Sequence, residues 1–355
     1  MIRLTPILAL LAACMVNDSN EGVYEAPLDL GSAVANDAAG DQDMQGLSDE
    51  GDIHLGDAPG APNASNSAIE FATLSTAYWG ASSLALTPDG SNGIMAMSYG
   101  WGTCEYNPET GQLGAEDNYT DCDDEVLFST WGGDAVVAGY DCDMLVYGDR
   151  EIEIAGLLNA DVYGEGFVSL QHGDLTAPCS VTRHTGAETS VTTQVTSDIC
   201  SQPKTQMATD FESGSVYIAT GEELWSVGET AASLVTTDVA YASVDRNSGD
   251  ILVAAYGAEE VRMVSADGTT LWTLPTEGTV AGVRTMGTMG LGLVHVLGEN
   301  DMPGTFVTVH LEDGVVWAEH IAWPNIQDWD VSADGSTFSV STGSNVYTYG
   351  VRLAE

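Results

Sequence analysis

Short apolar runs alternate with polar turn residues from about residue 82 to the C-terminus. The last stretch shows the pattern most clearly. Apolar residues alternate with polar ones over 329–331 and 338–340, Asp334-Gly335 lies between these runs, and a Gly-containing loop leads into 346–349. Such alternation predicts half-buried strands, and Asp-Gly between two strands predicts a hairpin with a type I′ turn. The stretch therefore predicts three consecutive antiparallel strands.

Related stretches recur at a period of roughly forty residues, with four short strands per unit, which is typical of a β-propeller blade. The units start near residues 82, 124, 157, 205, 238, 279 and 325. We predict an all-β fold, a β-propeller of seven four-stranded blades. The last unit has only three strands before the chain ends, so we expect a strand near residues 68–76 to complete it and close the ring.

A second turn recurs between the third and fourth strands of several units. The motifs are Pro88-Asp89-Gly90 at a first turn, and Ala266-Asp267-Gly268 with Trp272 and Glu312-Asp313-Gly314 with Trp317 at second turns. By these motifs residues 68–355 resemble the bacterial WD40-like and quinoprotein-like (PQQ-repeat) propellers. The resemblance implies the propeller architecture and gives almost no indication of function. Because the Gly-His and Trp-Asp dipeptides are absent in register, a close relationship to eukaryotic WD40 proteins is not expected.

The N-terminal residues 1–13 have the parts of a signal peptide: one arginine, a short apolar run and small residues before Cys14. Residues 11–14 also resemble the lipobox of bacterial lipoproteins, which implies cleavage before Cys14 and a lipid anchor on it. Residues 14–67 are acidic, contain no Lys or Arg and are predicted to form a disordered tether. We expect an exported, membrane-anchored lipoprotein. Met15 after Cys14 favours the outer membrane or cell surface of a bacterium.

The chain has 53 acidic and 8 basic residues, giving a formal net charge of −45. This charge argues against nucleic acid as a partner, because binding phosphates needs Lys and Arg. Two interpretations stay open: adaptation to salty surroundings, and binding of a divalent cation. No cofactor is expected apart from a candidate Ca²⁺ site in the loop 117–125, which concentrates oxygen ligands but lacks EF-hand spacing; a solvated acidic face is the alternative. The candidate ligands of the site are Asp117, Asp121, Asp123, Asp124 and Glu125.

Five cysteines follow the predicted blades. Cys104, Cys142 and Cys179 fall early in the third strands of the first three units, and Cys122 and Cys200 follow at the ends of the first and third units. An exported protein can keep disulfides. The simplest interpretation is two bonds, Cys104–Cys122 and Cys179–Cys200, with Cys142 as a buried apolar residue. A bond between Cys122 and Cys142 is the alternative.

No pattern in the sequence carries recognisable catalytic chemistry. No nucleophile elbow occurs, and His295 and His310 alternate with apolar residues on predicted strands, where packed histidines are expected. We therefore predict a non-catalytic binding or scaffold protein at the cell envelope, with an envelope protein or a glycan as its partner. The alternatives are a metal-dependent propeller enzyme of the hydrolase or lactonase type, and a carbohydrate-binding propeller using Tyr99, Trp101 and Trp131.

Overall fold

The computed structural model describes residues 69–353 apart from short gaps. The gaps are 78–80, 88, 98–102, 118–125, 133–134, 141–143, 148–149, 164–165, 172–178, 186–188, 195–205, 211–214, 246, 287–288, 299–303, 322–325, 333 and 343–344. The predicted signal peptide and tether therefore lie outside the described residues. Between the gaps the regular elements are strands, and this part of the chain contains no helix long and apolar enough to cross a membrane.

Strand β1 (Ile69–Ala77) precedes six sheets, each built from four consecutive strands in antiparallel order. Blade 1 contains β2 (Ala81–Leu86), β3 (Gly93–Met97), β4 (Thr103–Tyr106) and β5 (Leu113–Asp117). Blade 2 contains β6 (Val126–Gly132), β7 (Ala135–Tyr140), β8 (Met144–Tyr147) and β9 (Arg150–Glu153). Blade 3 contains β10 (Leu157–Tyr163), β11 (Gly166–Gln171), β12 (Ser180–Thr185) and β13 (Thr189–Gln194).

The next three blades repeat this order. Blade 4 contains β14 (Gln206–Asp210), β15 (Ser215–Ala219), β16 (Glu223–Val227) and β17 (Ala232–Thr237). Blade 5 contains β18 (Tyr241–Val244), β19 (Ile251–Ala254), β20 (Glu260–Val264) and β21 (Thr270–Pro275). Blade 6 contains β22 (Val280–Met286), β23 (Leu291–Val296), β24 (Thr305–His310) and β25 (Val316–Ile321).

The remaining four-stranded sheet, blade 7, joins the two ends of the described chain. It contains β26 (Asp328–Val331), β27 (Thr337–Ser341), β28 (Val346–Leu353) and, beyond β28, β1. Ile69 pairs with Leu353 and Ala77 with Val346. The first strands of the blades begin close to the predicted unit starts, and Trp272 and Trp317 lie on fourth strands as predicted.

The hydrophobic cores lie between blades. Each of the larger clusters of buried side chains takes its members from two neighbouring blades. Between blades 6 and 7, for example, the ring of Phe306 lies 5.2 Å from Trp329 and 5.1 Å from Phe338, centroid to centroid. A blade cannot bury both of its faces alone, so each is stabilised mainly by its neighbours.

The prediction of a type I′ turn at Asp334-Gly335 was wrong, because Gly335 has positive φ, at +74°, and Asp334 does not. The second turns show the same pattern. In the Ser265–Thr269 turn, Gly268 N donates to Ser265 O and Gly268 alone has positive φ, at +87°. Asp267 keeps negative φ, and its Oδ1 accepts hydrogen bonds from Thr269 N at 3.1 Å and from Ser265 Oγ at 2.5 Å. This is a three-residue loop ending in a left-handed glycine. Asp is selected here because its side chain caps the turn.

The glycines of these second turns also contact the preceding blade. A Cβ on Gly268 would lie 2.0 Å from Val235 O of β17, and one on Gly314 would lie 2.7 Å from the Trp272 ring of β21. Trp272 Nε1 also donates to Leu311 O at 2.8 Å. Each of these turns therefore fastens one blade to the outer strand of the blade before it.

Candidate functional site

Most of the residues predicted to bind a metal lie outside the described residues. Asp117 is the last residue of β5, where its backbone pairs with Thr103, and residues 121–125 fall in a gap. Within the described ranges, no group of three or more His, Cys, Asp or Glu side chains could hold a metal ion. The Ca²⁺ site at 117–125 therefore stays a prediction.

The cysteine pairs are described only in part. Cys104 is buried on β4, with its Sγ 3.5 Å from Glu105 O, and Cys122 falls in a gap. Cys179 is buried immediately before β12 and takes part in a disulfide bond, while Cys200 lies outside the described residues. Both pairings remain predictions, as does lipidation of Cys14.

The aromatic residues proposed for glycan binding are also placed only partly. Tyr99 and Trp101 lie in a gap, and for Trp131 only the backbone, in β6, is described. A carbohydrate site built from these three residues is therefore untested.

The three histidines with described side chains pack against aromatic rings. His184 lies 4.2 Å from Phe167, His295 lies 4.8 Å from Phe306, and His310 lies 4.3 Å from Trp317, each nearly parallel to its partner ring. His295 is 7% exposed, and burial lowers its pKa to about 4. Burial lowers the pKa of His184 as well. The prediction of packed histidines on these strands is confirmed for His295 and His310.

Polar side chains on the first strands join neighbouring blades around the ring axis. On β26, Asp328 Oδ2 accepts a hydrogen bond from Leu84 N at 2.7 Å, and Asp330 Oδ2 accepts one from Leu86 N at 2.9 Å. Both amides belong to β2, the inner edge strand of blade 1. Inner edge strands have unpaired N–H groups because no further strand follows them in the sheet. The two aspartates satisfy these groups across the junction of blades 7 and 1.

The junction of blades 5 and 6 uses hydroxyl groups for the same purpose. Ser243 Oγ on β18 accepts from Thr285 N on β22 at 2.9 Å, and Thr285 Oγ1 donates to Val244 O at 2.7 Å. As at the junction of blades 7 and 1, a side chain on one inner strand accepts an edge amide of the next blade, but here the acceptor carries no charge.

Arg284 is the cation beside the two aspartates. Its Nε lies 3.6 Å from Asp330 Oδ1, and its Cζ lies 5.3 Å from the centroid of the Trp329 ring. The Asp330 side chain is 21% exposed and that of Arg284 is 37% exposed. Burial raises the pKa of Asp330 to about 6, against the opposing effect of Arg284, and burial also raises the pKa of Asp328. The free-energy cost of burying the carboxylates is thus larger than the stabilisation that they gain from Arg284.

Exposed apolar side chains mark a different surface. The large hydrophobic residues that are exposed in the described part all fall in blades 4–6: Leu234, Tyr256, Leu271, Leu297 and Val315. Three of them follow the outer rim, with Leu234 at 48%, Leu271 at 49% and Val315 at 56% exposure. Each of three adjacent blades thus exposes one apolar residue at its outer rim, which makes this side of the described propeller the candidate for an interaction surface.

These three residues, which we call the apolar rim, are linked by the turn contacts already described. Leu234 precedes Val235, whose carbonyl meets Gly268, and Leu271 precedes Trp272, whose ring meets Gly314. Val315 follows Gly314 directly. The adjoining turns expose carboxylates at Glu229, Asp267, Glu312 and Asp313. Each of these blades therefore presents one exposed apolar residue at the rim together with exposed acidic turn residues.

The sequence prediction missed both the inner aspartates and the apolar rim. The aspartates stand two positions apart on a predicted first strand, which places them on one face, but the partner amides lie more than two hundred residues away in the chain. The rim could have been noticed from β17 and β21, whose sequences ASLVTT and TLWTLP carry no charge in a strongly acidic chain.

Comparison with known proteins identifies the fold and no family. No family model and no curated protein matches the chain. Among solved structures, it is similar to a chain of the crystal structure of a mitotic checkpoint complex, with a TM-score of 0.62 and 12% identity over 87% of this chain and 100% of that one. It is also similar to virginiamycin B lyase from Staphylococcus aureus, with a TM-score of 0.60 and 8% identity over 81% and 99%. Identities this low carry the architecture alone, and they show that the chain has a WD40-like β-propeller fold.

Proposed function

We propose that this protein is an exported, lipid-anchored propeller that binds another protein at the cell envelope and has no catalytic role of its own. The observation that carries the proposal is the apolar rim across blades 4–6. Burying such side chains in a partner would remove apolar surface from water, with a gain of about 25 cal/mol for each Å² buried. The similar chain in the mitotic checkpoint complex belongs to a protein assembly, which agrees with partner binding.

The acidic border of the rim defines the partner further. Carboxylates at the edge of an interface contribute more to association rate and partner choice than to affinity. A partner surface with an apolar centre and basic residues around it matches the rim in both respects. A second copy of this chain, with its net charge of −45, does not match it.

Site-specific photocrosslinking in the native host tests the proposal. A photoreactive amino acid in place of Leu271 in the full-length chain is expected to give a discrete crosslinked product, and Leu234→Ser in the same chain is expected to reduce it. The same amino acid in place of Thr110, an exposed residue in a blade 1 turn, is the control. No product at 271, or equal products at 271 and 110, would contradict the proposal.

The membrane anchor has its own test. Cys14→Ser is expected to abolish incorporation of a labelled fatty acid and to move the protein from the membrane fraction to the soluble fraction. Met15→Ser, next to the lipidation site, is the matched control and should keep the label. Retention of the label by Cys14→Ser would rule out this anchor.

A further inference from the structure

The outer edges of the blades differ in how they are protected against further strand pairing. The outer strands are β1, β5, β9, β13, β17, β21 and β25. An unprotected edge strand is a template for pairing with another chain, and proteins block it with bulges or with charged side chains.

Register shifts interrupt five of the outer strands: β1, β5, β17, β21 and β25. Of the other two, β9 pairs without a shift but carries Arg150, Glu151 and Glu153 among its four residues. The remaining strand, β13, has the sequence TSVTTQ and pairs continuously with β12, from Ser180↔Gln194 to Thr185↔Thr189. It is the one outer strand of the described propeller that has neither a register shift nor a charged residue.

The position of β13 is fixed by contacts with its neighbours. Thr193 Oγ1 donates to Gly228 O at 2.8 Å and to Glu229 O at 2.9 Å, which fastens the strand to the following blade. Thr192 is exposed, and its Oγ1 lies 3.1 Å from Thr182 Oγ1 on β12. A strand held in an extended conformation before binding loses little conformational entropy when a partner pairs with it.

We propose that the outer edge of β13 binds an extended segment of a basic protein partner by strand addition. Main-chain hydrogen bonds would supply the affinity in this mode, and side chains would supply the specificity. The uncharged sequence of β13 suits a partner segment that is uncharged at its centre. Glu229 is an exposed acidic residue whose backbone carbonyl accepts a hydrogen bond from Thr193, and an acidic residue next to the strand suits basic residues at the segment's ends.

Charge favours a separate basic partner over two other occupants of the β13 edge, a second copy of the chain and the chain's own residues 15–67. A second copy of the chain carries the same net charge of −45, and residues 15–67 of this chain contain no Lys or Arg. Both would approach β13 against like-charge repulsion, which penalises association. The β13 edge adjoins the blade 4 turn at Glu229, which also borders the apolar rim, but it contains none of the three rim residues. Substitutions at Thr192 and at the rim therefore test the two proposals separately, and either can fail while the other stands.

A selection from a random peptide library with the full-length chain tests the inference. Enriched peptides are expected to have β-branched, uncharged centres and Lys or Arg near their ends. In complex with the chain they should slow amide hydrogen exchange in β13. Methylating alternate backbone nitrogens along one edge of a peptide should weaken binding by about tenfold or more, because strand addition needs those N–H groups.

Point variants separate the β13 edge from other surfaces. Thr192→Lys places a like charge on the edge and should weaken binding of a selected peptide by about tenfold, whereas Thr192→Ser, which keeps the hydroxyl, should change it by less than about twofold. Thr273→Lys on β21 is the matched control, because Thr273 is also exposed on an outer strand, and it should leave binding unchanged. Melting temperatures of the variants show whether each still folds.

The other outcomes overturn the inference. Peptides that bind Thr192→Lys as tightly as the parent, or that protect strands other than β13, would place the site elsewhere. Enrichment of acidic sequences resembling residues 15–67 would make the chain's own N-terminal segment the occupant. If the chain forms dimers and Thr192→Lys abolishes them, the occupant of the β13 edge is a second copy of the chain. If no peptide is enriched at all, the β13 edge is not a binding site.

Discussion

Two junctions in the ring perform the same task with different chemistry. Between blades 5 and 6, a neutral hydroxyl of Ser243 accepts the edge amide of Thr285. Between blades 7 and 1, the carboxylates of Asp328 and Asp330 accept the amides of Leu84 and Leu86. A hydrogen bond to a charged acceptor is roughly twice as strong as a neutral one, but the charge must first be removed from water.

The two junctions also differ in how their blades are connected, although a carboxylate is not confined to one of them: between blades 3 and 4, Asp161 Oδ2 accepts a hydrogen bond from Thr209 Oγ1. Blades 5 and 6 follow each other directly in the chain, whereas blade 7 contains β1 and β28 from opposite ends of the propeller domain. At the junction of blades 7 and 1 the two amides are held by charged acceptors, with Arg284 close to Asp330. We infer that the aspartates hold together the junction that joins the two ends of the described chain, and that ionisation of Asp330 weakens this junction as the pH rises.

Removing β1 should have the largest effect. A chain that begins at residue 78 loses the outer strand of blade 7 and the contact between Phe71 and Phe338, whose ring centroids are 5.4 Å apart. We expect loss of cooperative thermal unfolding, measured by circular dichroism, because the last blade is left with three strands. A chain that begins at residue 68 is the control and should melt like the full-length protein. Equal melting of both truncated chains would show that β1 is dispensable.

Removing a side chain that accepts an edge amide should lower the free energy of unfolding more at the junction of blades 7 and 1 than at the junction of blades 5 and 6. Asp330→Ala leaves the Leu86 amide without its acceptor and Arg284 without its nearest carboxylate, and should lower the free energy of unfolding by about 3 kcal/mol. Ser243→Ala removes the acceptor of the Thr285 amide and the contact with Thr285 Oγ1 at 3.1 Å, and should cost about 1 kcal/mol. Urea unfolding at neutral pH measures both. A cost for Ser243→Ala equal to or above that for Asp330→Ala would contradict the comparison.

The sequence predicted what depends on local pattern. Alternation placed the strands, the period placed the first strand of each blade, and the three-stranded last unit indicated that a strand such as β1 was needed. The turn type was wrong because Asp-Gly also fits a turn in which Asp caps the backbone and Gly alone is left-handed, as at Asp267-Gly268. The inner caps could not be predicted, because they depend on which strands meet across blades, whereas the only signal for the apolar rim was the uncharged sequences of β17 and β21.

At the neighbouring junction of blades 6 and 7, His295 should make stability fall as the pH falls. It stacks on Phe306 and meets Trp329 edge-on, and burial lowers its pKa to about 4. A histidine with a lowered pKa in the folded state loses stability as the pH falls below its unfolded value of about 6.5. Relative to His295→Phe, the parent should lose about 2 kcal/mol between about pH 7 and about pH 4. A difference that does not change with pH would mean that His295 titrates normally.

The most direct test of the closing junction is the pH dependence of unfolding for the parent and for Asp330→Asn, which keeps an oxygen acceptor for Leu86 N but cannot ionise. The pKa of Asp330 is raised to about 6 in the folded protein, above its ordinary value of 3.8. The stability linked to its protonation is therefore fully present below that ordinary value and is lost as the pH rises through about 6, whereas the hydrogen bond from Leu86 N remains. The stability of the parent relative to Asp330→Asn should therefore fall by about 2 kcal/mol from about pH 4 to about pH 7. A difference that stays constant, or that grows in favour of the parent as the pH rises, would show that Arg284 outweighs burial and would contradict this account of the junction.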